Sequence, residues 1–199
     1  MEVTKALLGV CEDLYLQHPG DDTTVATTKV TQPRVATLFS GPPIDKAQDD
    51  YVVKKLMKTP GKKIVCGGTA ANIVSRILKS EVTTSLQLID PCIPPIGLIK
   101  GIDLVTEGVL TLQSTVEKLE HVKQGEGIVE GLEGEDGASI LARILLEECT
   151  HIQMIIGRAI NPAHQNLDFP QTLSIKLNML SKLEKILMQL GKVVQVEYV

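Results

Sequence analysis

The chain has 199 residues, 43% hydrophobic and 22% charged residues and a net charge of −4, which is ordinary for a globular protein with a substantial core. It contains three tyrosines, two phenylalanines and no tryptophan, which argues against stacking platforms for single-stranded nucleic acid. The acidic balance gives no overall attraction to nucleic acid or to anionic membranes. No apolar run reaches the roughly 20 residues that span a bilayer. We therefore expect a cytoplasmic protein without nucleic-acid or membrane partners.

The first part of the chain has its own pattern. Apolar residues at helical spacing predict a helix over 3–16, which Pro19 ends. A β-branched run then predicts a strand over 21–30. A break at Gln32 and Pro33 follows, so we predict a short N-terminal region over 1–32 and an α/β domain over 33–199.

The predicted strand opens with two adjacent carboxylates, Asp21 and Asp22. Such a pair can supply oxygen ligands to Mg²⁺ or Mn²⁺. Adjacent acids are also common in turns, and a metal centre needs further ligands. The four cysteines lie far apart, which favours buried free thiols over a metal site or disulfide.

From residue 33 onward, helical patterns alternate with short apolar strands, and this alternation is typical of a mainly parallel sheet buried on both sides. We predict an α/β fold with three layers, a mainly parallel sheet with helices on both faces, of Rossmann-like type. The predicted strands are 35–39, 64–66, 83–89, 102–105, 152–156 and 193–199, the last near an edge; the predicted helices are 45–58, 69–78, 109–119, 139–148 and 171–190, the last ending at Gly191.

The glycine pair Gly67 and Gly68 separates an apolar run from a helical pattern, with Thr69 predicted as the helix N-cap. Glycine can adopt positive φ, and such a turn directs free N–H groups and the positive end of the helix dipole to one point. The pair is therefore either an anion site or a simple βα turn. Neither the GxGxxG fingerprint nor the P-loop motif is present.

In open parallel sheets, ligands bind beyond the carboxyl ends of the strands, where the βα loops meet. This rule brings four loops to one edge of the predicted sheet, namely 40–43, 66–69, 106–108 and 157–165. Arg158, in the last of these loops, is suited to pair with a phosphate or carboxylate. The same residues would otherwise cap helices and tie loops together. The candidate ligand-binding residues are Ser40, Gly41, Gly67, Gly68, Thr69, Thr106, Glu107, Gly108, Arg158, Asn161, His164 and Gln165.

Three functions remain open from these residues. The first is a domain that binds a small anionic ligand. The second is an enzyme that uses Glu107 or His164 as acid or base, although a loop histidine is more often structural and no serine or cysteine has the spacing of a dyad. The third is a scaffold for homodimerisation or partner docking through the last helix and strand.

The motif His18-Pro19-Gly20-Asp21-Asp22-Thr23-Thr24-Val25 resembles the closing motif of SpoIIE-like, metal-dependent serine/threonine phosphatases of the PPM (protein phosphatase 2C-like) type. The resemblance implies that Asp21 ligates a catalytic Mn²⁺ or Mg²⁺ in an intact phosphatase site and that Asp22 occupies the following acidic position. The segments 38–43, 63–72, 101–110 and 157–166 resemble the domain that follows the phosphatase in some anaerobic bacterial members.

This resemblance implies a regulatory or sensory domain whose partner is the phosphatase domain of the same protein. The ligand expected at its loops is a nucleotide or a phosphorylated metabolite. A phosphatase site of this type also needs aspartates from N-terminal strands, and the chain resembles the family only from its last helix and strand. We therefore expect no phosphatase activity from this chain alone.

Overall fold

The computed structural model describes residues 2–16, 18, 20, 22–28, 30–84, 94–124, 132–159 and 169–199. The chain divides into two compact units, Met1–Gln32 and Pro33–Val199. No helix among the described residues is long and apolar enough to cross a membrane.

The first unit contains helix α1, Glu2–Leu14, and an irregular segment after it. The predicted strand over 21–30 is wrong for its described residues, 22–28 and 30, which have no strand conformation. A strand needs a neighbouring strand for its N–H and C=O groups, and the described part of this unit offers none. Instead, the Thr27 hydroxyl lies 2.7 Å from that of Thr4 on α1.

The second unit is built on a seven-stranded sheet with the order β3-β4-β5-β2-β1-β6-β7. β1, β2, β5, β6 and β7 are parallel, while β3 and β4 form an antiparallel edge, so the predicted mainly parallel α/β fold is confirmed. The predicted strand over 83–89 is described only at β3, and its remainder lies outside the described residues. The strands are β1 Val35–Ser40, β2 Lys62–Cys66, β3 Thr83–Thr84, β4 Gly97–Leu98, β5 Leu104–Thr106, β6 His151–Ile156 and β7 Val193–Tyr198.

Helices cover both faces of this sheet. Successive strand residues point to opposite faces, so Phe39 packs with α2 and α3 while Leu38 packs with α4, α5 and α6. Both faces are apolar, which explains the continuous hydrophobic runs in the strands. The helices are α2 Asp49–Lys58, α3 Gly68–Leu78, α4 Val109–Gln124, α5 Gly137–Arg143 and α6 Phe169–Gln189.

Local signals account for several helix ends. A 3₁₀ turn, Lys46–Gln48, precedes α2, and its N-cap Asp45 accepts a hydrogen bond of 2.9 Å from the Ala47 N–H. α6 ends at Gln189, and Gly191, with φ +82, closes the turn after it, as predicted for a glycine at the helix C-terminus. The end of α5 differs from the predicted single helix, because the chain continues as a π-helical turn, Ile144–Glu148.

The sheet reverses its strand order between β1 and β6, which makes this the topological switch point. The pairing register of the parallel strands places the last residues of β1, β2, β5 and β6 next to one another. Ser40 pairs with both Cys66 and Ile156, and Cys66 pairs with Thr106. The loops that follow β1, β2, β5 and β6 therefore begin side by side at the carboxyl edge of the sheet.

Candidate functional site

The turn after β2 is built by glycine backbone geometry. Gly67 has φ +106 and ψ 138 and is the N-cap of α3, so Thr69 is the second helical residue and its predicted role as N-cap is wrong. The reason is that Gly67 itself reverses the chain and its N–H donates to the Thr106 carbonyl at 2.9 Å. Because Gly67 has no side chain, it offers no side-chain acceptor to the first-turn N–H groups of α3, while its carbonyl accepts the Ala71 N–H at 3.0 Å. A Cβ on Gly68 would meet nothing within 4 Å.

A second helix begins beside this turn. α4 follows Gly108, whose carbonyl accepts the Leu112 N–H at 3.2 Å. A Cβ on Gly67 would lie 4.0 Å from the Gly108 Cα, and a Cβ on Gly108 would lie 3.8 Å from the Gly67 Cα. The positive dipole ends of α3 and α4 are therefore neighbours at the carboxyl edge. We call this place, formed by Gly41, Gly67, Gly68 and Gly108, the glycine edge.

One lysine side chain lies against Gly41 of the glycine edge: it belongs to Lys176, a half-buried residue of α6. Its Nζ lies 2.7 Å from the position that a Cβ on Gly41 would occupy, and Gly41 has φ +84, which favours glycine. Burial lowers the pKa of Lys176, and electrostatic attraction from Cys66 and Glu107 opposes that shift only in part. Among the described residues, none forms an ion pair with Lys176.

The buried side chains at the strand ends next to the glycine edge have structural roles. The Ser40 hydroxyl is fully buried and donates to the Cys66 carbonyl at 2.9 Å. Thr106, also buried, donates its hydroxyl to the Glu107 carbonyl at 2.9 Å. Burial raises the pKa of Cys66 to about 11, so its thiol stays protonated at neutral pH and is a poor nucleophile.

The described candidate residues lie at the carboxyl ends of their strands, but their side chains differ in direction. Arg158 is exposed, and its guanidinium carbon lies 5.4 Å from the centre of the Tyr198 ring, so it lies toward β7. Glu107 is exposed near Lys176. Asn161, His164 and Gln165 lie outside the described residues, so of the two predicted acid or base candidates, Glu107 and His164, only Glu107 is described.

The predicted metal ligands are only partly described. Asp21 lies outside the described residues, whereas Asp22 is described in the first unit. Within the described ranges, no group of three or more His, Cys, Asp or Glu side chains could hold a metal ion.

Sequence reasoning missed Lys176, although the sequence contained a signal for it. Lys176 precedes Leu180, Leu183 and Leu187 at spacings of four, three and four residues, and all three leucines are fully buried. A lysine in the apolar stripe of an amphipathic helix faces the protein interior or a site at its margin. Lys176 should therefore have been a candidate.

A cleft also lies on the α2 and α3 side of the edge, and the sequence did not indicate it. Its volume is about 450 Å³. Asp49, at the start of α2, is 6% exposed and forms an ion pair with Arg76 of α3 at the cleft. We call it the α2–α3 cleft; it is lined by Pro42, Pro43, Ile44, Lys46, Asp49, Thr69, Asn72, Ile73, Arg76 and Ala159.

The fold and the glycine edge define a doubly wound α/β domain of Rossmann-like architecture. No protein-family model matches the sequence, and no curated protein matches it. Among solved structures, phenylacrylic acid decarboxylase from Aquifex aeolicus is similar over 83% of this chain and 81% of its own, with 12% identity and a TM-score of 0.27. A likeness at that level carries no argument about function, so the function rests on the site itself.

Proposed function

We propose that the α/β domain binds a small anionic ligand, a nucleotide or a phosphorylated metabolite, at the glycine edge. The observation that carries this proposal is the position of the Lys176 ammonium against Gly41, in a partly desolvated place. A desolvated ammonium is unfavourable unless an opposite charge lies next to it, and a bound anion supplies that charge. The neighbouring N-terminal ends of α3 and α4 add N–H donors and positive dipole ends.

We also propose that this domain is the regulatory or sensory part of a cytoplasmic SpoIIE-like serine/threonine phosphatase. The support is the sequence of residues 18–25, which resembles the closing motif of that family, and its place in a unit separate from the α/β domain. In this proposal Asp21 and Asp22 belong to the Mn²⁺ or Mg²⁺ site of the complete phosphatase. Phosphatase activity is attributed to that complete site and not to this chain alone.

A thermal-shift series tests the anion site. Inorganic phosphate, sugar phosphates and nucleotides are compared with sodium chloride at equal ionic strength. At about ten times the dissociation constant, a ligand that binds only the folded state stabilises it by about 1.4 kcal/mol. For a domain of this size we expect Tm to rise by about 4 °C. If every anion at millimolar concentration left Tm at its chloride value, the proposed function would be wrong.

A further inference from the structure

The α2–α3 cleft has the size and the mixed lining of a small-molecule pocket. Its volume of about 450 Å³ lies within the range of typical ligand sites. Pro43, Ile73 and Ala159 provide apolar surface, while polar groups come from Asp49, Asn72 and Arg76. The lining suits a ligand that has an apolar face and several hydrogen-bonding groups.

The polar groups of the cleft point to a hydroxyl-bearing ligand. Asp49 is buried at the first position of α2, so its carboxylate is a fixed acceptor, while Arg76 only donates and is 63% exposed at its side chain. The Asn72 amide can both donate and accept. A hydroxyl also donates and accepts, so neighbouring sugar hydroxyls match this combination of groups.

The cleft is continuous with the first turn of α3. Thr69 lines the cleft and is the second residue of that helix, directly after Gly68 of the glycine edge. One ligand can therefore place an anionic group at the N-terminal end of α3 and its body in the cleft. Ligands in doubly wound sheets occupy this position beyond the strand ends.

We propose that the α2–α3 cleft holds the sugar and base of a nucleoside phosphate whose phosphate occupies the glycine edge. This inference rests on the proposed anion site and makes it more specific. The apolar wall of Pro43, Ile73 and Ala159 contacts the base, and Asp49 accepts a hydrogen bond from a sugar hydroxyl.

Isothermal titration of the full chain with inorganic phosphate, ribose 5-phosphate and the common ribonucleoside monophosphates tests the inference. We expect at least one nucleotide to bind about tenfold or more tightly than ribose 5-phosphate, because only the nucleotide fills the apolar part of the cleft. Asp49→Asn should reduce that nucleotide's affinity by about tenfold and leave the affinity for inorganic phosphate unchanged.

Arg76→Gln replaces an exposed side chain and removes the ion-pair partner of Asp49, and it should likewise weaken nucleotide binding while phosphate binding is kept. Its matched control is Lys54→Gln on the exposed surface of α2, which should leave nucleotide affinity unchanged. Equal affinities for ribose 5-phosphate and every nucleotide would overturn the inference and leave the anion site standing. If phosphate, ribose 5-phosphate and the nucleotides all failed to bind, both proposals would be wrong.

Discussion

Replacing Lys176 with methionine is expected to abolish phosphate binding and to raise the stability of the unliganded α/β domain. Methionine has a similar length and no charge, so it removes the ammonium that attracts the anion but keeps a long side chain one helical turn before Leu180. Replacing a partly buried charge that has no ion-pair partner with apolar atoms is often stabilising, and we expect a gain of about 1 kcal/mol or less in the free energy of unfolding. Urea unfolding with and without phosphate measures both effects.

The matched control for this variant is Lys182→Met, because Lys182 is an exposed lysine on the same helix. It should change stability by less than about 0.5 kcal/mol and leave phosphate binding intact. The interpretation would be wrong if the Lys176 variant kept the stabilisation by phosphate, or if both variants lost it equally.

The lowered pKa of Lys176 also determines whether this residue makes the stability of the domain rise or fall with pH. Above the folded-state pKa and below the ordinary value of 10.5, the unfolded chain retains the proton and the folded domain has lost it. The unfolded state then binds more protons, so this lysine makes stability rise with pH in that window. Phosphate affinity should fall over the same window, because the anion binds the charged amine.

Replacing Gly157 with alanine is expected to cost about 3 kcal/mol of stability, because the new methyl group would overlap rigid backbone. A Cβ at this position would clash with the carbonyl oxygens of Gly41 and Pro42. The loops after β1 and β6 are already joined there by two hydrogen bonds. The Gly157 N–H donates to the Ser40 carbonyl at 2.9 Å, and the Ala159 N–H donates to the Pro42 carbonyl at 3.1 Å.

Gly68→Ala is the control for this variant. A Cβ on Gly68 meets nothing within 4 Å, and the residue is the first of α3, so alanine should be neutral or stabilising by up to about 1 kcal/mol. Denaturant unfolding of both variants separates steric overlap from a general effect of losing a glycine. A Gly157→Ala domain as stable as the Gly68→Ala domain would show that the two loops can separate at little cost.

The elements of the α/β domain that depend on local pattern were predictable. β1 and β6 are apolar runs, and α6 has a leucine stripe that Gly191 follows, so each of these elements carries its own signal in the sequence. The predicted strand over 21–30 failed where it is described, because a strand depends on a partner that its own residues do not encode. Thr69 was a plausible N-cap by residue type, but Gly67 already supplies the turn.

The sequence predicted where the site lies in the fold, but not which side chains form it. Parallel strands end at one edge, so the loops could be placed together from their strand assignments. The Ser40 hydroxyl donates to the Cys66 carbonyl of the neighbouring strand, and this bond depends on strand register, which the sequence does not give. Lys176 lies next to Gly41 because of how α6 packs against the sheet. Its place at the glycine edge is therefore known only from the tertiary structure.

A titration of the Lys176 side chain tests the central proposal, an anion site at the glycine edge. In protein with ¹³C-labelled lysine, the Lys176 Cε signal, assigned from its loss in Lys176→Met, reports the protonation of the amine. We expect a pKa below 10.5 for Lys176 without ligand and a higher pKa with millimolar phosphate, and no such difference between sodium chloride alone and buffer. A Lys176 titration curve that phosphate leaves unchanged would contradict the proposed site.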